Sequence, residues 1–253
     1  MVADYYTASA EFYEMVAARH VRTSAGPLRA ALAGVAPGSG PVVEIGAGTG
    51  RITEVIAEAL PSAPIIAAEP STPMRAMLTS RVVGNDDLRR RVTISAEPAQ
   101  HLRLPDRVGA VVVFGVIGHL TKDERLALWH ELRAHVPPGA PIVVELMGTG
   151  SARAVPPFRM LRERIGEQTY EWWTRAEPVE GAETEVLRWE TTWKVLRGDT
   201  VVRSTSDSYV WENLSIAGLA EEAGATGRLV SEPGLPGAPE IGVLTFPGPD
   251  RGR

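Results

Sequence analysis

Residues 42–51 read Val-Val-Glu-Ile-Gly-Ala-Gly-Thr-Gly-Arg, an apolar run that ends on an acid and opens into three alternating glycines. The run from Pro41 to Ile45 predicts a buried strand. Beyond the glycines, Ile52, Val55, Ile56, Ala59 and Leu60 fall at i, i+3, i+4, i+7 and i+8, one face of a helix. Strand, glycine turn and helix in that order form the first unit of an open α/β sheet, and such sheets bind ligands at the carboxyl ends of their strands. Glycines at that point let the backbone approach a ligand with no Cβ in between. Three alternating ones cost more chain entropy than a plain turn requires. A dinucleotide fingerprint needs its last glycine where Arg51 stands, and a P-loop needs Gly-Lys-Ser/Thr, so neither fits.

The same alternation continues down the chain. Ile65 to Glu69 predicts a second strand, and Ser71-Thr72-Pro73 caps a helix carrying Met74, Met77, Leu78 and Val82. Val92 to Ile94, Ala110 to Phe114 and Ile142 to Leu146 supply three more strands, and Thr121-Lys-Asp-Glu124 opens the last intervening helix with a capping box. Two helices precede the sheet, one with Phe12, Met15 and Val16 and one with Leu28, Ala31, Leu32 and Val35. After Met147 a helical stretch (Phe158, Leu161, Ile165) leads into antiparallel segments, Tyr170–Trp173, Val186–Leu196 and Val201–Trp211, the last two joined by the hairpin signal Gly198-Asp199. Leu187, Trp189, Thr191, Trp193 and Val195 share one face and Arg188, Glu190 and Lys194 the other, so this sheet is half buried. A helix from Asn213, a strand near Leu229 and a last strand from Ile241 to Phe246 complete the pattern. The expected fold is α/β: a doubly wound, seven-stranded, mostly parallel sheet with an inserted small antiparallel sheet. Its expected parts are N-terminal helices over 1–40, a core over 41–150 and 212–247, an inserted helix plus sheet over 151–211, and a tail over 248–253.

Composition narrows the chemistry. The 253 residues include no cysteine, which excludes disulfides, Cys-ligated metals and a thiol nucleophile. A net charge of -5 gives no basic footprint for nucleic acid or anionic membrane. The longest apolar run, Val108 to Ile117, is far short of the ~20 residues of a spanning helix, and the first residues carry no signal-peptide pattern. The expectation is a cytoplasmic protein with a small-molecule or peptide partner and no nucleic-acid or membrane partner, with a homodimer left open. His20, His101, His130 and His135 have no metal-ligand spacing, so no metal is expected. Bias toward Ala, Gly, Arg and Pro points to a GC-rich bacterial genome.

The string from Val42 to Arg51 resembles motif I of the class I S-adenosylmethionine-dependent methyltransferases, and the resemblance extends to Leu146. It implies S-adenosylmethionine as cofactor, with Gly46, Ala47, Gly48, Thr49 and Gly50 against it. Glu69, followed by Pro70, stands where the family's acid takes both ribose hydroxyls, and a carboxylate is the simplest acceptor for a vicinal diol. Glu97 and Pro98 stand in the loop whose acid meets the adenine amino group, and Phe114 and Gly115 where the methionine moiety lies. Leu132 to Leu146 is similar to the family's helix, Pro-Gly-Gly and strand segment, with Pro-Pro-Gly-Ala in its place. Glu44 resembles the acid near the cofactor's amino end; neutralising Arg51 or capping backbone is its alternative reading.

Phe114-Gly-Val-Ile-Gly-His-Leu120, Ala3-Asp-Tyr5 and Glu11-Phe-Tyr-Glu-Met-Val16 look like segments of the aminosugar N-methyltransferases of macrolide biosynthesis. That resemblance places Tyr5, Tyr13 and His119 around the reacting methyl group. Tyr13 is assigned to the cofactor, and His119 and Tyr5 to catalysis. Methyl transfer is an in-line displacement whose main demand is alignment, and an amine acceptor must also present a free lone pair, which an ammonium lacks. A histidine can take that proton or pass it to water, and a phenol can orient the nitrogen. The other readings are that His119 bonds backbone before the Thr121 cap and that Tyr13 is plain core. The Trp-rich sheet reads as a packing device or dimer contact, with Trp173 or Tyr170 lining a pocket only if the sheet covers the cofactor mouth. The resulting expectation is methyl transfer to an amine of a small molecule or peptide in bacterial secondary metabolism. An O-methyltransferase and a catalytically silent cofactor-binding protein are the alternatives.

Overall fold

The computed structural model describes residues 6–146, 151–231 and 239–248. Helix α1 (Tyr6–Leu32) comes first, followed by β1 (Val42–Ile45), α2 (Arg51–Ala59), β2 (Ile65–Ala68), α3 (Thr72–Val83), α4 (Asp86–Arg91) and β3 (Val92–Ser95). Then come β4 (Ala110–Phe114), α5 (Lys122–His135), β5 (Ile142–Leu146), four long strands β6 (Val155–Ile165), β7 (Gln168–Pro178), β8 (Val186–Arg197) and β9 (Thr200–Glu212), and finally α6 (Ile216–Glu222), β10 (Thr226–Leu229) and β11 (Glu240–Thr245).

Seven strands form one sheet in the order β10-β11-β5-β4-β1-β2-β3. β1 to β5 are parallel, while β11 runs antiparallel to β5 and β10 to β11. The central strands β1, β4 and β5 are buried at every position, which is why they read as apolar runs interrupted only by Glu44 and Glu145. One face packs Val43, Val111 and Val144 against Leu128, Trp129 and Leu132 of α5 and Leu219 of α6. The other packs Val42, Val112 and Val143 against Leu28 and Leu32 of α1, Ile56 of α2 and Leu78 of α3. The chain reverses its winding between β1 and β4, so a crevice opens at their carboxyl ends.

β6, β7, β8 and β9 form a second, antiparallel sheet between β5 and α6. Gly198, with φ 58°, turns β8 into β9, and Arg197 pairs with Thr200 across the turn. Burial alternates along β8 with Leu187, Trp189, Thr191, Trp193 and Val195 inward. That inner face packs on α1 through Phe12, whose ring stacks on Trp193 at 5.0 Å. It also packs on the 3-10 turn Ile117–His119, where a Cβ on Gly118 would meet the Trp211 ring at 2.2 Å.

Two expectations are corrected. The helix expected through Phe158, Leu161 and Ile165 is strand β6. Register shifts between Val155 and Phe158 and between Arg159 and Leu161 break its period of two, so the apolar residues fall at helix-like intervals. As an edge strand it also tolerates Pro156 and Pro157, which cannot donate to a ladder. The two helices expected ahead of the sheet are one 27-residue helix with Pro27 inside it. A proline costs a helix interior about 3 kcal/mol, and burial of Phe12 at one end and Leu28, Ala31 and Leu32 at the other offsets it. Among the described residues no helix is long and apolar enough to cross a membrane.

Candidate active site

The three glycines of the β1–α2 turn all have positive φ, 77° at Gly46, 56° at Gly48 and 85° at Gly50. L-residues with a side chain resist that region, so the turn as folded requires glycine. A Cβ on Gly46 would strike Val116 at 2.3 Å and one on Gly50 would strike Leu78 at 2.7 Å. At Gly48 the nearest atom is Cε1 of Tyr13 at 3.9 Å, so this backbone faces open space. The N–H groups of Gly46 and Ala47 donate to the Ala68 carbonyl at 2.8 and 2.9 Å, fixing the turn beside β2. Thr49 is buried, and its carbonyl accepts from Nε of Arg81 at 2.8 Å.

Glu69, one residue past β2, is buried and accepts from the N–H of Gly48 at 2.8 Å and from that of Ser71 at 2.8 Å. These bonds aim the carboxylate across the mouth of the glycine turn. Arg75 holds the carbonyls of Glu69 and Pro70 at 2.8 and 2.9 Å. Glu97 lies past the end of β3, its N–H donating to Ser95 Oγ at 3.2 Å and its carboxylate accepting from the N–H of Arg103 at 3.0 Å, and Pro98 starts the next 3-10 turn. Phe114 ends β4, and Gly115 follows at φ 65° with nothing within 4 Å of a Cβ placed on it. Glycine turn, Glu69, Glu97 and Phe114–Gly115 thus stand at the carboxyl ends of four strands adjacent in the order β4-β1-β2-β3. Open backbone at Gly48 and Gly115, with acids past the ends of β2 and β3, fits a nucleoside joined to an amino-acid chain.

Glu44 is 2 % exposed and accepts from Thr53 Oγ1 at 2.6 Å. Burial, with the Glu69 charge adding to it, pushes its carboxyl up to about 8 against the Thr53 bond. It does not neutralise Arg51, which instead donates to Glu14 of α1 through Nε at 2.8 Å. Arg81 of α3 donates to the same Glu14 oxygen at 2.6 Å and to Glu54 of α2 at 2.9 Å. Burial alone would raise the Glu14 carboxyl, but the nearby Thr49 hydroxyl and the Arg51 and Arg81 guanidiniums outweigh it and hold it below its ordinary range. One carboxylate therefore ties α1 to both helices that flank the glycine turn.

α1 brings Tyr13 over Gly48. Its phenol is raised to about 12 by burial and by the charges of Glu69 and Glu145, so it stays protonated. Tyr6 packs edge-on to Tyr13 at 5.4 Å, and its hydroxyl lies 3.3 Å from Nε2 of His119. The imidazole is further walled by Trp211 at 4.8 Å and Tyr209 at 5.4 Å. Burial pushes it down to about 4, opposed by a hydrogen bond to the Val210 backbone. The helix cap does not use His119: Thr121 and Glu124 complete the capping box themselves. Tyr5 lies outside the described residues.

Several partners had no sequence signal. Glu145, at the end of β5, is buried under α1 and receives Ser24 Oγ at 2.8 Å and His20 Nε2 at 2.6 Å. Burial lowers the His20 imidazole, but Glu145 outweighs it and leaves the group raised. Arg125 of α5, 1 % exposed, joins Glu212 at the end of β9 (2.7 Å) to Glu222 of α6 (2.9 Å), fastening the antiparallel sheet to the core. Trp173 is on the sheet's outer face between Arg159 and Lys194, whereas Tyr170 packs on Phe12, so neither borders the crevice. Among the described residues no cluster of three or more His, Asp or Glu side chains is arranged to hold a metal.

Residues 42–139 match a family model described as a methyltransferase domain. No protein of curated function matches the sequence significantly. Solved structures align over most of the chain. DesVI of Streptomyces venezuelae is 19% identical, with a TM-score of 0.73 over 96% of this chain and 98% of that one. KedS8 of Streptoalloteichus sp. ATCC 53650, a sugar N-methyltransferase, is 14% identical, with a TM-score of 0.72 over 94% of this chain and 92% of that one. CalS10 of Micromonospora echinaspora, an amino pentose methyltransferase solved with S-adenosylmethionine bound, is 20% identical, with a TM-score of 0.69 over 88% and 90%. At these identities the likeness is one of fold. Residues 42–139 thus resemble a methyltransferase domain, and the chain shares the fold of these solved structures.

Proposed function

We propose that the chain methylates an amine nitrogen of a small molecule or peptide in a bacterial secondary-metabolite pathway. The observation that carries this reading is a neutral imidazole, His119, held by Tyr6, Tyr209 and Trp211 in the turn that follows β4. S-adenosylmethionine, when bound, supplies a methyl group on a sulfonium that is already a good leaving group. In this reading Gly46 to Gly50 and Tyr13 bed the cofactor, Glu69 takes its ribose hydroxyls, and Glu97 with Pro98 borders the adenine. Phe114, Gly115 and Glu44 border its amino-acid end.

His119 then serves the acceptor. With its charge-bearing form suppressed by burial, it takes the Tyr6 hydroxyl proton at Nε2 while that hydroxyl oxygen accepts the amine proton, which is passed on as the new bond forms. Next to the phenol expected at Tyr5, the Tyr6 hydroxyl fixes the ring's orientation. The aromatic walls exclude water from this contact. Structures of sugar N-methyltransferase KedS8, amino pentose methyltransferase CalS10 and glycopeptide N-methyltransferase MtfA, similar in fold, favour nitrogen over oxygen.

The test is mass spectrometry of products after incubation with S-adenosylmethionine and a panel of aminosugars, peptide amines and hydroxylated aromatics. Methyl increments on amines are expected. Increments on hydroxyl compounds alone overturn the amine assignment, and cofactor binding without product on any acceptor favours the silent protein.

A further inference from the structure

The inner face of the antiparallel sheet carries a polar row in aromatic surroundings. Thr174 of β7, Thr191 of β8 and Asp207 of β9 are successive cross-strand partners. On one side of the row lie Trp189, Trp211 and Tyr209, and on the other Trp193 with Phe12 of α1. The two threonine hydroxyls are committed, Thr174 to the Glu190 carbonyl at 3.2 Å and Thr191 to the Asp207 carbonyl at 3.4 Å.

The Asp207 carboxylate is not. Among the described residues its one hydrogen bond is from the adjacent Ser208 N–H to Oδ1, at 2.7 Å, which leaves Oδ2 without a donor. Burial raises this carboxyl above its ordinary range against that bond. Diagonal to it across β8 and β9, Trp189 is 7 % exposed, and its indole N–H is buried with no acceptor. The indole donor is buried without an acceptor, and the half-buried carboxylate beside it has one oxygen open, so ligand hydroxyls placed against them complete both.

We propose that Asp207 and Trp189 form a subsite that takes ring hydroxyls of a hydroxylated amine, holding the acceptor by a part remote from the nitrogen that is methylated. The spacing argues for hydroxyls rather than the reacting amine. Asp207 and Tyr209 are two positions apart on one strand face, about 7 Å, and the Tyr209 ring is 5.4 Å from His119. A carboxylate against the reacting nitrogen would hold it as the ammonium, which cannot attack. Displaced by about the width of a sugar ring, it accepts from hydroxyls while Tyr209 and Trp211 cover the ring's C–H face. The inference rests on the amine reading.

The test compares methyl glycosides of amino-deoxyhexoses with cyclohexylamine, which has the ring and the amine but no hydroxyl, in steady-state assays of the full chain. Asp207→Asn is expected to raise KM for the aminosugar about ten- to hundredfold, with kcat, cofactor affinity and the cyclohexylamine KM unchanged. Asp207→Glu should restore part of the loss, and Trp189→Phe should raise the aminosugar KM alone, about three- to tenfold. An unchanged aminosugar KM in Asp207→Asn, or equal losses on both acceptors, overturns the subsite and leaves the amine reading standing. If the unaltered protein methylates neither amine, the amine reading fails and the subsite falls with it.

Discussion

The Tyr6 hydroxyl lies 3.3 Å from Nε2 of His119 although 113 residues separate them. The contact joins the first turn of α1 to the turn after β4, so seating α1 on the core and orienting the imidazole are one structural event. Tyr6→Phe and His119→Gln should each lower kcat, by about ten- to hundredfold, while calorimetry finds cofactor affinity unchanged. Because burial holds the imidazole at about 4, its protonation should not limit kcat/KM near pH 6.5. An unaltered kcat in both variants, or an acid limb near 6.5 that vanishes in His119→Gln, contradicts this.

Glu44 sets a second pH dependence. Its carboxyl sits at about 8 in the folded protein against an ordinary 4.5, so the folded state holds this proton more tightly than the unfolded one. Its contribution is fully present below the ordinary value and is lost as pH rises through about 8. Urea denaturation should therefore show stability falling between about pH 5 and pH 8.5, with a shallower fall in Glu44→Gln. Equal slopes in the two proteins count against the assignment.

Glu14 joins Arg51 and Arg81 at one carboxylate oxygen, with the Glu14 and Arg51 side chains about one-third exposed and the Arg81 side chain 17% exposed. Solvent screening reduces what such a network contributes, so Glu14→Gln should cost about 1–2 kcal/mol of stability. Cofactor affinity should fall with it, because α1 no longer presses Tyr13 onto Gly48. Denaturation and calorimetry on the same preparation check both effects.

Arg125 is a different case, its side chain 2% exposed and paired with Glu212 and Glu222 at 13% and 12%. Arg125→Ala leaves two nearly buried carboxylates without their cation and should cost about 3–5 kcal/mol. Arg125→Lys should recover only part, because an ammonium cannot reproduce the forked bonds to both acids. A loss under about 1 kcal/mol in Arg125→Ala would contradict a buried network.

What the sequence disclosed and what it concealed divide along physical lines. The glycine turn, the Thr121 capping box and the Gly198-Asp199 hairpin are local chemistry, in which neighbouring residues carry the whole signal. The β8 alternation was equally legible because one face of that strand is buried along its length. β6 was misread because two register shifts erase its period, and the continuity of α1 was missed because Pro27 is a local breaker overruled by distant packing. In the candidate site, the strand-end acids could be placed by the order of the strands and the resemblance that begins at the glycine turn. The partners of His119, of Glu14 and of Arg125 come from elements 37 to 113 residues away in the chain, and no local pattern encodes those meetings.

The most direct test of the account is to supply S-adenosylmethionine labelled with carbon-13 in its methyl group, together with an aminosugar acceptor, and to record the product's carbon spectrum. The account predicts new signal at the shift of a methyl group on nitrogen, which appears with the unaltered protein and slows in His119→Gln. A new methyl on oxygen, or label that stays in the cofactor while the protein binds it, would contradict amine methylation by this chain.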